Sequence, residues 1–164
     1  MYVVDTNVFS YLIKLKGNHL LKDAERARKY AGLLAGHEVV RAFPTDAELR
    51  VWVQGLDEGE RKDLYTKGVQ EIMEQTPAID GDDRVARRWA DIITSGRRLG
   101  KVHVLDGQNP KREAQLNDTW IAACALAHEL TLVSDNSRDF EWMREAVGLD
   151  LVSYSSSEII PIQQ

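Results

Sequence analysis

Tyr2, Val3 and Val4 form a run of β-branched and aromatic residues that stops abruptly at Asp5-Thr6-Asn7. Such a run reads as a buried strand. The three residues that end it favour turns and helix N-caps. Apolar residues resume at Val8, Phe9, Tyr11, Leu12 and Ile13, which suits the start of a helix. A carboxylate therefore stands at the carboxyl end of a buried strand, and in open parallel sheets that edge is where ligands bind. An Asp at such a junction also serves as a plain N-cap. Asp5 counts toward chemistry only if other carboxylates join it.

The same alternation continues along the chain. Residues 20–34 read as a helix with Leu21, Ala24, Ala27, Tyr30, Ala31 and Leu34 on one side, ended by Gly36. Residues 37–43 read as a short strand. Thr45 or Asp46 then caps a helix, and Thr45 with Glu48 has capping-box spacing. Residues 56–74 read as a charged helix with Leu64, Val69, Ile72 and Met73 as its apolar side. Residues 76–80 suit a short strand or an extended link. Asp82 or Asp83 caps the next helix, whose stripe is Val85, Ala86, Trp89, Ala90, Ile92 and Ile93.

Residues 100–115 lack periodicity and read as a long loop, a usual seat of function. Residues 116–130 form a helix, opened by Asn117 or Asp118, that is almost wholly apolar and therefore buried. Thr131 to Ser134 make a buried strand ending at Asp135-Asn136. A helix over 137–145, Gly148 and a last strand over 149–153 complete the chain. Strands alternating with helices imply a parallel α/β sheet. At 164 residues, with no repeat or linker, the expectation is one domain over 1–164.

Composition narrows the class. Hydrophobic residues make up 43% of the chain, an ordinary globular value. No apolar run approaches the ~20 residues needed to cross a bilayer, and the N-terminus lacks the basic region of a signal peptide. Cys124 is the only cysteine, so no internal disulfide forms. These features point to a cytoplasmic protein. His19, His37, His103 and His128 are scattered, without zinc spacing.

The net charge is −5, yet it is unevenly spread. Residues 14–29 hold six basic against two acidic side chains, and residues 84–112 hold eight against two. Two basic segments on an acidic body suit a polyanion, though most such side chains simply solvate helix faces.

Asp5 and Asp135 each follow a buried strand, Asp118 opens a buried helix, and Glu48 lies in the first turn of another. All four converge on one sheet edge. Carboxylates crowded together raise each other's pKa unless a cation intervenes. Such a site suits Mg²⁺ or Mn²⁺, which prefer oxygen ligands and which polarise a phosphoryl oxygen and activate water.

Four blocks in order carry a family resemblance: Val4-Asp5-Thr6-Asn7, Ala47-Glu48-Leu49, Asn117-Asp118-Thr119-Trp120-Ile121-Ala122-Ala123, and Leu132-Val133-Ser134-Asp135-Asn136-Ser137-Arg138-Asp139-Phe140. The sequence resembles a PIN-domain ribonuclease, and within that group the VapC-type toxins of toxin–antitoxin pairs. The resemblance implies a three-layer α/β/α PIN-like fold with a central parallel sheet of four to five strands. Asp5, Glu48 and Asp118 would be the acidic triad, with Asp5 and Asp118 the direct metal ligands. The family's fourth acid most often stands where this chain has Asn136, so Asp135, one residue early, is the candidate here.

The implied activity is a Mg²⁺- or Mn²⁺-dependent endoribonuclease cutting single-stranded RNA such as a tRNA loop. Arg97, Arg98 and Lys101 would hold the RNA backbone. The implied partners are an antitoxin, which inserts an Arg among the acids, and a second copy in a homodimer. The stretch 103–115 looks longer than in compact members. The alternatives are a PIN-like binding module without catalysis and a Mg²⁺-dependent phosphatase or receiver domain. For a phosphatase the second Asp is missing, since that position is Asn7.

Overall fold

The structure, a computed structural model, describes residues 1–17, 24–102 and 110–154, with the side chains of 110–115 excepted. In chain order the elements are β1 (Tyr2–Val4), α1 (Thr6–Lys16), α2 (Ala24–Leu34), β2 (Val39–Ala42), α3 (Phe43–Gln54) and α4 (Glu60–Gln75). There follow β3 (Ala78–Ile79), α5 (Asp83–Arg98), α6 (Pro110–Ala127), β4 (Thr131–Val133), α7 (Ser137–Val147) and β5 (Leu151–Val152). The five strands form one sheet in the order β3-β2-β1-β4-β5, and every pairing is parallel.

The period-two geometry of strands sorts the core into two layers. Val3, Leu132 and Leu151 face one side, where they meet Val85 and Ile92 of α5, Ile121–Ala125 of α6, and Phe140 and Met143 of α7. Tyr2, Val4, Val133 and Val152 face the other, against Val8, Phe9 and Ile13 of α1, Tyr30 of α2, Leu49 of α3 and Tyr65 of α4. The result is the α/β/α sandwich expected, with five strands. Among the described residues no helix is long and apolar enough to cross a membrane.

Three local expectations are corrected. The buried helix begins at Pro110, well before Asn117, so residues 110–115 are helix and not loop. Proline suits a first helical turn, and Lys, Arg, Glu, Ala and Gln are good helix formers. None of them adds to an apolar stripe, so periodicity misses them. Asp118 thus lies in the third turn and caps nothing. Residues 18–23 and 103–109, the rest of the expected loop and the start of the expected second helix, lie outside the described residues.

No capping box forms at Thr45–Glu48. The α3 helix starts at Phe43 with Ala42 at the N-cap and Pro44 in the first turn, because Pro pre-sets the helical φ. Glu48 is thereby freed for other contacts. On α4, Leu64 is exposed, while the adjacent Tyr65 is buried in its place.

Arg41 is the buried cation of the sheet, 8% exposed. It faces α3 and α4, where its guanidinium pairs with Asp46 and donates to the Met73 carbonyl and the Thr76 hydroxyl, both at 3.2 Å. Removing one partner of a buried pair leaves the other uncompensated. Asp46→Ala is therefore expected to destabilise the fold by about 3 kcal/mol, read as a lower urea midpoint with an unchanged slope.

Candidate active site

From β1 the chain leads to β2 on one side, whereas β4 leads to β5 on the other. The strands β1 and β4 are neighbours, with Val4 opposite Val133. The carboxyl ends of β1 and β4 therefore flank the point where strand order reverses, the usual ligand crevice of an open α/β sheet. Asp5 and Ser134 are the next residues on the two strands. The Asp5 amide donates to the Val133 carbonyl at 3.0 Å, which extends the ladder to the site.

The Asp5 carboxylate is 4% exposed and held on both oxygens. Its Oδ1 accepts from the Thr6 amide at 2.7 Å. Its Oδ2 accepts from Asn7 Nδ2 at 2.7 Å and from Ser134 Oγ at 2.6 Å. Asn7 also accepts the Asp135 amide at 3.1 Å, so one side chain ties both strand ends together. Burial pushes the Asp5 carboxyl up to about 6, the Ser134 hydroxyl opposes that shift, and the nearby Glu48 charge adds to it.

Glu48 approaches from α3. Its carboxylate accepts from Thr6 Oγ1 and, at 2.8 Å, from Asn117 Nδ2 on α6. Asp118 follows Asn117. Its carboxyl is pushed up to about 8, first by burial and then by the charges of Asp5, Asp139 and Glu48. The described residues donate no hydrogen bond to it. Three predicted acids thus do meet, each delivered by a different element.

The fourth expected acid is placed elsewhere. The Asp135 side chain is only 6% exposed, and Arg26 Nη1 and Tyr11 Oη bond its Oδ2 at 2.9 Å each. Tyr30 Oη bonds its Oδ1 at 2.8 Å. The charges that shift Asp5 and Asp118 most are Glu48 for the former and Asp5, Asp139 and Glu48 for the latter, not Asp135. It anchors α1 and α2 to the end of β4. Asp139, not expected among the site acids, is the carboxylate of this segment that lies beside Asp118. Asn136 occupies the position where an acid was expected, and its amide donates to Asp139 Oδ2 at 2.5 Å. The signal was available: Asp139 lies in the first turn of α7, three residues after the N-cap.

The predicted basic residues separate. Lys101 and Val102 line a small pocket with Asp118, Thr119, Asp139, Trp142 and Met143. Arg98 lines a different cleft, and Arg97 is exposed near the end of α5. Gly96 lets the Lys101 turn close. The Lys101 and Val102 amides both donate to its carbonyl, at 2.8 and 3.2 Å. A Cβ at Gly96 would meet Val102 at 2.5 Å and Trp142 at 2.8 Å. Overpacking of this kind costs about 1–3 kcal/mol. Gly96→Val is expected to lose that much in a urea titration.

The donor set fits a hard divalent cation. All four side chains offer carboxylate oxygens, and burial first, then the neighbouring charges, raise the Asp5 and Asp118 carboxyls, both effects that a bound cation opposes. Among the described residues no three acidic, His or Cys side chains are drawn together tightly enough to enclose a metal alone.

The PIN domain family model matches residues 2–145 of this chain. The chain belongs to the PIN domain family. Ribonuclease VapC1 of Haemophilus influenzae is 23% identical over 145 residues, covering 86% of this chain and 90% of that protein. Among solved structures, FitAcB from Neisseria gonorrhoeae superimposes with a TM-score of 0.69 at 23% identity, over 92% of this chain and 96% of its own. VapBC2 from Rickettsia felis, bound to a promoter DNA fragment, gives 0.66 at 20% identity, over 93% and 98%. The PIN fold is therefore shared along nearly the whole length.

Proposed function

We propose that this PIN-domain protein is a divalent-metal-dependent endoribonuclease, the toxin of a toxin–antitoxin pair, which cuts single-stranded RNA such as a tRNA loop. The observation that carries the reading is the meeting of Asp5, Glu48, Asp118 and Asp139 at the reversal point of a parallel sheet. The ribonuclease name of the relatives and the VapBC complexes among the structural neighbours support it.

In this reading Asp5 and Asp118 hold Mg²⁺ or Mn²⁺. A bound ion supplies Lewis acidity toward a phosphoryl oxygen and makes a water more acidic. Asp5 is fixed by Thr6, Asn7 and Ser134 before any substrate arrives, so its oxygens need no reorganisation. Glu48, oriented by Thr6 and Asn117, positions water beside the scissile phosphate. Asp139, oriented by Asn136, adds negative charge beside Asp118 and strengthens cation retention. Lys101 balances a phosphate next to these acids. An antitoxin arginine placed among the same carboxylates would compete with the cation through charge-assisted hydrogen bonds. A homodimer is part of the proposal, and light scattering at twice the monomer mass would support it.

The test is cleavage of an end-labelled total-tRNA pool. Discrete fragments are expected with Mn²⁺ or Mg²⁺, lost in EDTA and restored by excess metal. Cutting that is indifferent to EDTA, or intact RNA at every metal concentration, would contradict the proposal.

A further inference from the structure

The α5 helix carries five arginines against two aspartates. Arg84, Arg87, Arg88 and Arg98 recur at the three- and four-residue steps of one helical face. Asp91 and Ser95 lie between them on that face. From Arg84 to Arg98 the rise is about 21 Å, at 1.5 Å per residue. Beside this face lies a cleft of about 480 Å³, lined by Arg88, Asp91, Ser95 and Arg98 of α5, Leu126 of α6 and Val147 of α7. Three residues beyond Arg98, Lys101 lines the pocket that holds Asp118 and Asp139. Arg98 at the cleft and Lys101 at the acidic pocket are thus three residues apart along the chain, at the turn over Gly96.

These arginines are free to exchange partners. Arg84, Arg87 and Arg88 pair with Asp82, Asp83 and Asp91 at 3.3, 2.7 and 3.7 Å, and their side chains are at least half exposed. Exposed pairs of this kind contribute about 0–1 kcal/mol. Arg97 and Arg98 make no ion pair with the described residues. The Thr94 and Ser95 hydroxyls offer the neutral donors that accompany Arg in phosphate contacts.

We propose that this face of α5, with its cleft against α6 and α7, is a binding track for the phosphodiester backbone of RNA flanking the cut. The inference rests on the ribonuclease reading and deepens it. The acids by themselves repel a polyanion, so a separate positive surface must supply the attraction. The α5 face carries such charge, and its end at Arg98 lies three residues from Lys101 at the acidic pocket. Backbone contacts position the strand without reading its bases, so the track acts on RNA of any sequence.

The test is a salt titration of binding in EDTA, where cleavage does not intervene. The probe is a fluorescein-labelled 24-nucleotide single-stranded RNA of random sequence. Each phosphate contact contributes about 0.7 to the slope of log affinity against log salt for single strands. The Arg88→Gln/Arg98→Gln double variant is expected to lose about 1.4 from that slope. Between 50 and 200 mM salt its affinity should then fall about sevenfold less than that of the wild type. Lys67→Gln, an exposed cation on α4, should leave the slope unchanged.

An unaltered slope in the double variant overturns the track, as does an equal loss in Lys67→Gln. Unaltered RNA binding together with loss of a co-purifying protein would give the cleft to that protein instead, and also overturns it. The two proposals fail separately. Wild-type cleavage of tRNA with an unaltered slope removes the track alone. A lowered slope without any cleavage removes the ribonuclease reading alone.

Discussion

Asp118→Asn is expected to lower RNA cleavage at least about a hundredfold while making the metal-free protein more stable. Even outer partners of a bound metal are worth 10- to 100-fold when removed, so a direct ligand should cost no less. The stability gain follows from the carboxyl's environment. Asp118 is held near 8 in the fold against 3.8 for a solvated Asp. Between those values the folded chain keeps a proton that the unfolded chain has released. Stability therefore falls as pH rises through that window, and the accumulated loss levels off above about pH 8.

An amide at residue 118 carries no charge at any pH, so the variant escapes this loss. Its melting temperature should exceed the wild type's by several degrees at pH 8 and by less at pH 5, at about 2–4 °C per kcal/mol for a chain of this size. Added Mn²⁺ should raise the wild-type melting temperature and leave the variant little changed. Asp5→Asn is a poorer probe of the same idea. Both Asp5 oxygens accept hydrogen bonds, and an amide nitrogen would face one of those donors. A variant equal to the wild type in both activity and pH-dependent melting would remove Asp118 from the site.

Asp135→Ala should have the opposite profile. It leaves Arg26, Tyr11 and Tyr30 without their shared acceptor. Tyr30 is fully buried and also accepts the Tyr154 amide at 3.0 Å, so the loss reaches the chain beyond β5. Hydrogen bonds to charged groups are worth about 1.5–3 kcal/mol each. The ion pair itself adds less, because the Arg26 end is 41% exposed and screened by water. The expected result is a melting temperature lower by about 10 °C. Activity per folded molecule should remain within a few-fold of wild type, because the Asp135 backbone amide still reaches Asn7. Unchanged melting with lost cleavage would instead make Asp135 a catalytic group.

This contrast shows what was legible in the sequence. Asp5 could be read because a strand ending in a carboxylate fixes both its depth and its direction. Glu48 and Asp118 were expected beside Asp5 and the structure places them there, but the local reasons for expecting it were incomplete. A capping box and a helix start were expected, whereas Pro44 and Pro110 start both helices earlier. Helix formers without an apolar stripe leave no periodic trace, so the first turns of α6 read as loop.

That Asp139, and not Asp135, lies beside Asp118 was hidden for another reason. Both follow β4 closely, and their spacing does not say which carboxylate meets a cation. That choice depends on Arg26, Tyr11 and Tyr30, which come from more than a hundred residues earlier. Lys101 and Arg98 were grouped by sequence as one basic segment. The tight turn over Gly96 sends Lys101 to the acids, while Arg98 lines the neighbouring cleft.

The most direct measurement is Mn²⁺-dependent cleavage of labelled tRNA by wild type, Asp118→Asn and Asp135→Ala side by side. Each rate is divided by the folded fraction measured in the same buffer. The account predicts that Asp118→Asn is folded and inactive, while Asp135→Ala is less stable and active once folded. Cleavage by folded Asp118→Asn at the wild-type rate would contradict it.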